Sequence, residues 1–416
     1  LKSRKIICVA TSALRDAPNS NVFISRISKD LGLNIKVIDG EKEAYYGGVA
    51  ALNLLHDDTF VTVDIGGGST EFCFVNKGKV EKSISLNIGT VRIKELYFNK
   101  NDIKGAKKYI LDNLKKISNL EIKIPKKVVG IGGSIRSLSK IVMTKNQYPL
   151  DVLHEYMYKV RDEINLFNKI SIAKNNDDLK SFGVKKDRFD TIKEGAFIFK
   201  TILEELEIDE VVTSGVGVRE GAYLADLLRT SNHKFPENFN VSVRSLLDRF
   251  QIDEKQSAYL GNNAKKIFDV LKPIHNLDNK FRSLLVISSK LHSIGSTLNF
   301  YKSNDNAFDF ILNGLNYDFL HTSRILVAHT IKFSKKSLPT KADILKYEKL
   351  LPSLDVMKWM SFMISLNIAV NQDFSRPKVS YELEGNVLKV ILSNNSFLIE
   401  SNIDKLESPE DLIIKL

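Results

Sequence analysis

Three glycine-rich turns, each following an apolar run, mark the places where this chain can hold an anion. In Asp64-Ile65-Gly66-Gly67-Gly68-Ser69-Thr70-Glu71 the first strand ends in a carboxylate and the second begins with Ser-Thr-Glu. The glycines between them let the backbone fold tightly and present bare N–H groups to a phosphate. Mg2+ or another hard divalent cation takes carboxylate and phosphate oxygens, so Asp64 and Glu71, at the two lips of the turn, are candidate ligands, direct or through water. An ordinary hairpin does not need three successive glycines. The turns Gly130-Ile131-Gly132-Gly133-Ser134 and Ser214-Gly215-Val216-Gly217-Val218-Arg219-Glu220-Gly221 repeat the order strand, glycines, helix. Neither carries the Walker ending or the dinucleotide spacing. Together the three imply one cleft for a multiply charged ligand.

Two upstream segments add side chains. Arg15, in Ala10-Thr11-Ser12-Ala13-Leu14-Arg15-Asp16, stands just past a strand end, where a guanidinium can grip phosphate in bidentate fashion. A plain ion pair with Asp16 is the competing reading. Asp39-Gly40-Glu41-Lys42-Glu43-Ala44 opens a helix with two carboxylates, and the positive end of a helix would account for either without any catalysis.

The elements that must position these residues follow from periodicity and turn residues. Residues 6–10 and 35–38 read as short strands, and 20–31 and 41–55 as helices, the former with Phe23, Ile24, Ile27 and Leu31 on one stripe and Gly32 as its stop. Strands at 60–64, 71–75 and 79–86 form an antiparallel meander. Helices at 91–97, 102–117, 135–143, 155–172, 190–206 and 218–228 then alternate with strands at 128–130 and 211–214. The polar tract 231–240 marks a boundary, helices follow to about 368, and a small β element turns at Glu384-Gly385-Asn386.

The chain has 416 residues, 43% of them hydrophobic, which points to more than one folded domain and excludes general disorder. Lys and Arg exceed Asp and Glu by 61 to 50, and the net charge of +11 favours polyanions. The lysines fall in scattered pairs, which argues against a nucleic-acid tail. Cys8 and Cys73 lie in apolar segments and form neither a disulfide framework nor a zinc pattern. No apolar stretch is of membrane-spanning length and no signal peptide opens the chain, so a cytoplasmic enzyme without membrane or nucleic-acid partners is expected.

The segments ATSALRDAPN, IDGEKEA, VDIGGGSTEF, GIGGS and SGVGVREG, in this order, resemble the exopolyphosphatase and guanosine pentaphosphate phosphohydrolase family of the actin-like superfamily. The resemblance covers residues 4–228. It implies an α/β, actin-like (ribonuclease H-like) two-domain fold, followed by an all-α HD-like domain and a small C-terminal α+β element. The boundaries would be 1–45, 46–230, 231–370 and 371–416. Carried onto this chain, it makes Glu43 the base that activates water, Asp64 and Glu71 the magnesium ligands, and Gly66, Gly67, Gly68, Ser69 and Thr70 a phosphate grip. Arg15 would contact the phosphate chain, with Gly132, Gly133, Ser134 and Arg219 on the opposite wall. The family's first phosphate clamp, an aspartate- and glycine-bearing strand-turn-strand, is not in the sequence, which reads as entering in mid-fold at Leu1. Leu291-His292-Ser293-Ile294-Gly295 resembles an HD motif whose aspartate is replaced by Ser293, so a metal-free HD-like scaffold is expected, and family members imply a homodimer. The expected activity is removal of the terminal phosphate of inorganic polyphosphate, with guanosine pentaphosphate hydrolysis, alone or alongside it, as the alternative. An ATP-dependent kinase of the same superfamily and a non-enzymatic scaffold are more distant readings.

Overall fold

The computed structural model describes residues 5–394 and 396–416; the expected entry at Leu1 and the start of the family resemblance at Arg4 lie outside them. The chain divides into two compact units, the first ending at Asn238 and the second beginning at Phe239.

In the first unit, β1 (Cys8–Ala10) pairs in parallel with β2 (Ile35–Val37) across α1 (Ser12–Asp16) and α2 (Ser20–Leu31). Helix α2 stops at Gly32, whose φ of 65° suits a residue without Cβ. After α3 (Gly40–Leu54) comes the meander of β3 (Phe60–Ile65), β4 (Thr70–Asn76) and β5 (Lys79–Leu86). Next in the chain are α4 (Thr90–Leu96), α5 (Ile103–Ser118), β6 (Lys127–Ile131), α6 (Gly132–Lys145), β7 (Tyr156–Lys159), α7 (Val160–Ser171), α8 (Asn176–Ser181), α9 (Ile192–Glu205), β8 (Glu210–Thr213) and α10 (Val218–Leu227). One sheet runs β5-β4-β3-β6-β8-β7, with the meander antiparallel and β6 and β8 parallel to β3. This order is consistent with the ribonuclease H-like expectation.

The helix expected over 155–172 is corrected: its first turn is strand β7, antiparallel to β8 at the sheet edge. Tyr156 and Tyr158 are buried while Met157 between them is 47% exposed. Two aromatics at period two favour a half-buried edge strand over another helical turn.

Strands β3 and β4 are buried on both faces, which is why they read as apolar runs. Val61, Val63, Phe72 and Phe74 face the core shared with α5, α6, α7 and α9. Phe60, Cys73 and Val75 face the other way, toward Ala51 and Leu55 of α3 and its end. By strand alternation Asp64 and Glu71 belong to this second face. Helix α3 lies close to it because its inner stripe is glycine: a Cβ at Gly48 would meet Cys73 Sγ at 2.2 Å, and one at Gly40 would meet Ser85 Cβ at 2.3 Å. On the outer side α10 approaches equally closely, a Cβ at Gly221 falling 1.8 Å from the Tyr46 carbonyl oxygen. Backbone cannot yield as a side-chain tip can, so Gly221→Ala is expected to destabilise the first unit by about 1–3 kcal/mol, read as a lowered denaturation midpoint with an unchanged slope.

The tract after α10 is tied to the same helix. Asn53 donates to the His233 carbonyl at 2.8 Å and accepts from the Phe235 N–H at 3.0 Å, and Tyr45 hydrogen-bonds His233.

The second unit contains α11 (Val241–Arg249), α12 (Glu254–His275), α13 (Asn279–Leu291), α14 (Ser303–Gly314), α15 (His321–Lys332), α16 (Lys341–Ile344) and α17 (Leu354–Ala369). Strands β9 (Val379–Glu384) and β10 (Val387–Leu392) form the expected hairpin. After α18 (Phe397–Ile403), β11 (Ile413–Lys415) adds to β10 in parallel. His292 begins the short 3-10 turn after α13 and hydrogen-bonds the Ser289 carbonyl through Nδ1. His329 is buried against Phe308 and Tyr347, and that burial pushes its imidazole down to about 4.

Candidate functional site

In register, Asp64 of β3 stands opposite Glu71 of β4, and Glu71 stands opposite Ser85 of β5. Opposed residues point to the same face with Cβ atoms about 5 Å apart, so the two carboxylates are neighbours by strand geometry alone. Ser85 donates to Glu71 Oε1 at 2.8 Å, and Ser69 also hydrogen-bonds this carboxylate. Asp64 lies over the start of α6: a Cβ at Gly132 would sit 2.3 Å from Asp64 Oδ1, and Gly132 has φ +83°. Glycine at 132 therefore both permits the backbone turn and makes room for the carboxylate.

Glu43 reaches this pair from α3. Asp39 caps the helix, its carboxylate accepting from the Lys42 N–H at 2.7 Å. Gly40 rests on Ser85, and one turn later the same stripe carries Glu43 over the Asp64 and Glu71 face, while Glu41 points to solvent. Glu43 lines a cleft of about 510 Å³ together with Thr11, Ser12, Gly66 to Ser69 and Glu71. Arg92 and Glu95 complete it from α4.

Helix α4 shapes the glycine turn. The N–H groups of Thr90 and Val91 at the start of this helix donate to the carbonyls of Gly66 and Gly67, each at 2.9 Å. Gly89 makes this approach possible, since a Cβ there would meet Gly67 O at 2.2 Å. The turn's carbonyls are thus directed into α4. Among the described residues, the N–H groups of Gly67, Gly68 and Ser69 have no backbone acceptor, leaving them for a ligand.

Burial and crowding of like charges govern the acids. Burial, then the Glu43 charge, pushes Asp64 up to about 6, against the opposing pull of Arg136. Burial, then Glu43, pushes Glu71 up to about 8, with the serine hydrogen bonds acting in the other direction. Glu43 is itself raised by burial, and Arg15 and Thr11 oppose this. A carboxylate raised above its ordinary range is a better proton acceptor, the property a general base needs. Among the described residues no group of three His, Cys, Asp or Glu side chains is gathered tightly enough to hold a metal by itself. Asp64 and Glu71 form a two-carboxylate set, which suits Mg2+ because that ion takes its other ligands from substrate phosphate and water.

The remaining expected residues separate into those near the cleft and those away from it. Arg15 Nη1 donates to the Ile38 carbonyl at 2.8 Å and lies 3.4 Å from Glu43 Oε2, so its guanidinium is held by the protein. Thr70 is fully buried and donates to the Ile88 carbonyl. Gly133 lies under Arg188, and Ser134 is buried beside Gly195. The Arg219 side chain is 88% exposed beside Glu220, outside the cleft lining. Sequence reasoning missed Thr11, Ser12, Arg92, Glu95 and Arg136. Arg136 donates to the carbonyls of Ser214 and Val216, which ties the second glycine turn to the third.

Known proteins match the part of the chain that builds this cleft. The profile of the Ppx/GppA phosphatase family matches residues 1–230. A bifunctional 3-dehydroquinate synthase/phosphatase of Fusobacterium nucleatum is 32% identical over 228 residues, covering 51% of this chain and 33% of that protein. A guanosine-5'-triphosphate,3'-diphosphate pyrophosphatase of Photobacterium profundum is 25% identical over 350 residues, covering 81% of this chain and 67% of that protein. The chain therefore spans between one third and two thirds of the length of these relatives. A crystal structure of the Aquifex aeolicus member of the Ppx/GppA family aligns with TM-score 0.47 at 30% identity, covering 54% of this chain and 74% of that one.

Proposed function

Because this chain belongs to the Ppx/GppA phosphatase family, we propose that its cleft hydrolyses a terminal phosphoanhydride, with Glu43 as the base. The observation that carries this reading is the convergence of Glu43 with Asp64 and Glu71 beside the glycine turn, where the Glu43 charge raises both of the other acids. The N–H groups of Gly67, Gly68 and Ser69 bind the oxygens of the terminal phosphoryl group. Glu43 takes the proton of a water whose oxygen attacks phosphorus, and the bridging P–O bond breaks in line with the attack. In such transfers positioning and charge neutralisation dominate, and no covalent nucleophile is required. Asp64 and Glu71 would hold a Mg2+ ion, which supplies charge neutralisation to the phosphate oxygens. Ser69 and Ser85 orient Glu71, and Gly132 leaves Asp64 its position.

For the substrate we place guanosine pentaphosphate first, since pyrophosphatases named for it match most of this chain at 25–28% identity. This reverses the order drawn from net charge. Inorganic polyphosphate remains the second reading, supported by the excess of 11 positive charges. Phosphate release from each substrate with Mg2+, measured side by side, decides between them. Faster turnover of the nucleotide is expected, and release from neither would defeat the hydrolytic reading. We also propose the second unit as an HD-like scaffold and the protein as a homodimer, to be checked by metal analysis of the full chain and by its mass in solution.

A further inference from the structure

We propose that Arg92, and not Arg15, is the cation that grips the phosphoryl group seated on the glycine turn, and that Asp16 holds its guanidinium until substrate displaces it. This rests on the phosphohydrolase reading of the cleft. Arg15 has Nη1 engaged by Ile38 O and Glu43 and is not among the residues that line the cleft, and Arg219 points to solvent. Arg92 lines the cleft, and its Nε donates to Gly68 O at 2.8 Å.

The anchoring follows from the local fold. Gly89 lets the start of α4 rest on the glycine turn, and Arg92, in the first turn of that helix, is carried to the cleft mouth. Its Nη2 lies 3.9 Å from the position a Cβ would take at Gly68, a position that is also 2.5 Å from Ser12 Oγ. The far end of the guanidinium therefore stands beside the turn whose N–H groups are open. Its partner there is Asp16 Oδ2, again at 3.9 Å, with side chains 35% and 57% exposed, and Asp16 also accepts from Ser12 at 3.3 Å. Such a long, solvated pair is weak. A phosphoryl group offers more charge and two oxygens to a planar fork already fixed at Nε, so it displaces the carboxylate. As negative charge spreads over the equatorial oxygens during transfer, this grip tightens, which places Arg92 in contact with the reacting group.

The test turns on Arg92→Gln. The glutamine amide nitrogen sits as many bonds from Cα as Nε does, so the bond to Gly68 O can be kept while the charged end is removed. Expected results are a fall in kcat/KM on the order of 10²-fold carried mainly by kcat, weaker inhibition by inorganic phosphate, and a Tm close to wild type. Guanidinium ion should partly restore Arg92→Ala. Asp16→Asn should lower KM a few-fold at low salt, roughly the effect of removing a surface competitor. Arg92→Gln with kcat/KM and phosphate inhibition within about threefold of wild type, less than one lost hydrogen-bond donor costs, would overturn the proposal. If the wild-type protein hydrolyses neither substrate, the rise in Tm on adding inorganic phosphate takes over. Loss of that rise in Arg92→Gln supports the grip, and its absence in wild type, or its retention in the variant, sinks it.

Discussion

Glu43→Gln is expected to slow turnover by roughly 10²–10⁴-fold while KM changes little, the usual scale for a positioned general base. The substitution keeps the size of the side chain and an oxygen for Arg15 to bond. It removes the one group on the α3 stripe that can accept a proton at the cleft. It also removes a negative charge that raises both Asp64 and Glu71. Divalent cation should then bind at lower pH, a second signature, since the two carboxylates proposed as its ligands ionise more easily. Steady-state kinetics with a metal titration at two pH values reads both effects. Near-normal kcat in this variant would remove Glu43 from the proton-accepting role.

Metal-free protein should lose stability as pH rises from about 5 to 8.5, and Glu71→Gln should remove most of that loss. Glu71 is 2% exposed, and its carboxyl is raised from the ordinary 4.5 to about 8. Between those values the folded chain retains a proton that the unfolded chain has released. Stability is therefore highest at the acid end of the window and declines through it, the opposite of the usual salt-bridged carboxylate. The loss is on the order of a few kcal/mol. Mg2+ should restore stability more at pH 8 than at pH 5, where protons occupy the oxygens it needs. Thermal melts with chelator and with Mg2+ across the window provide the measurement. Parallel profiles for wild type and Glu71→Gln would show that the buried acid is not the cause.

The meander and its carboxylates were legible because their signals are local: apolar runs bounded by a triple-glycine turn, with an acid at each lip. Glu43 could be singled out only by resemblance, since a carboxylate in a helix's first turn is ordinary. What sequence did not display is the glycine stripe of α3 as a packing surface, which brings Glu43 down onto Asp64 and Glu71. Arg92 left no local trace either. It occupies a short helix, and the role proposed for it arises from the close approach of Gly89 to the Gly67 carbonyl, between residues 22 apart in sequence. Arg219 follows a glycine turn just as a phosphate ligand might. The neighbouring Glu220 turns back to accept the Gly217 N–H at 2.9 Å, while the Arg219 side chain is left in solvent. Strand β7 was concealed because four residues of period two run directly into the long amphipathic pattern of α7.

The spacing between a proton acceptor and the acids beneath it is set, in this molecule, by missing atoms. At Gly40 and Gly48 nothing but hydrogen separates helix from sheet. A single methyl group there would lift the helix like a shim under a machine part, and a displacement of about 1 Å is enough to cost on the order of 10²-fold in rate. On the proposed mechanism, catalytic rate can thus change through residues that never touch a ligand, with every proposed reacting side chain left intact.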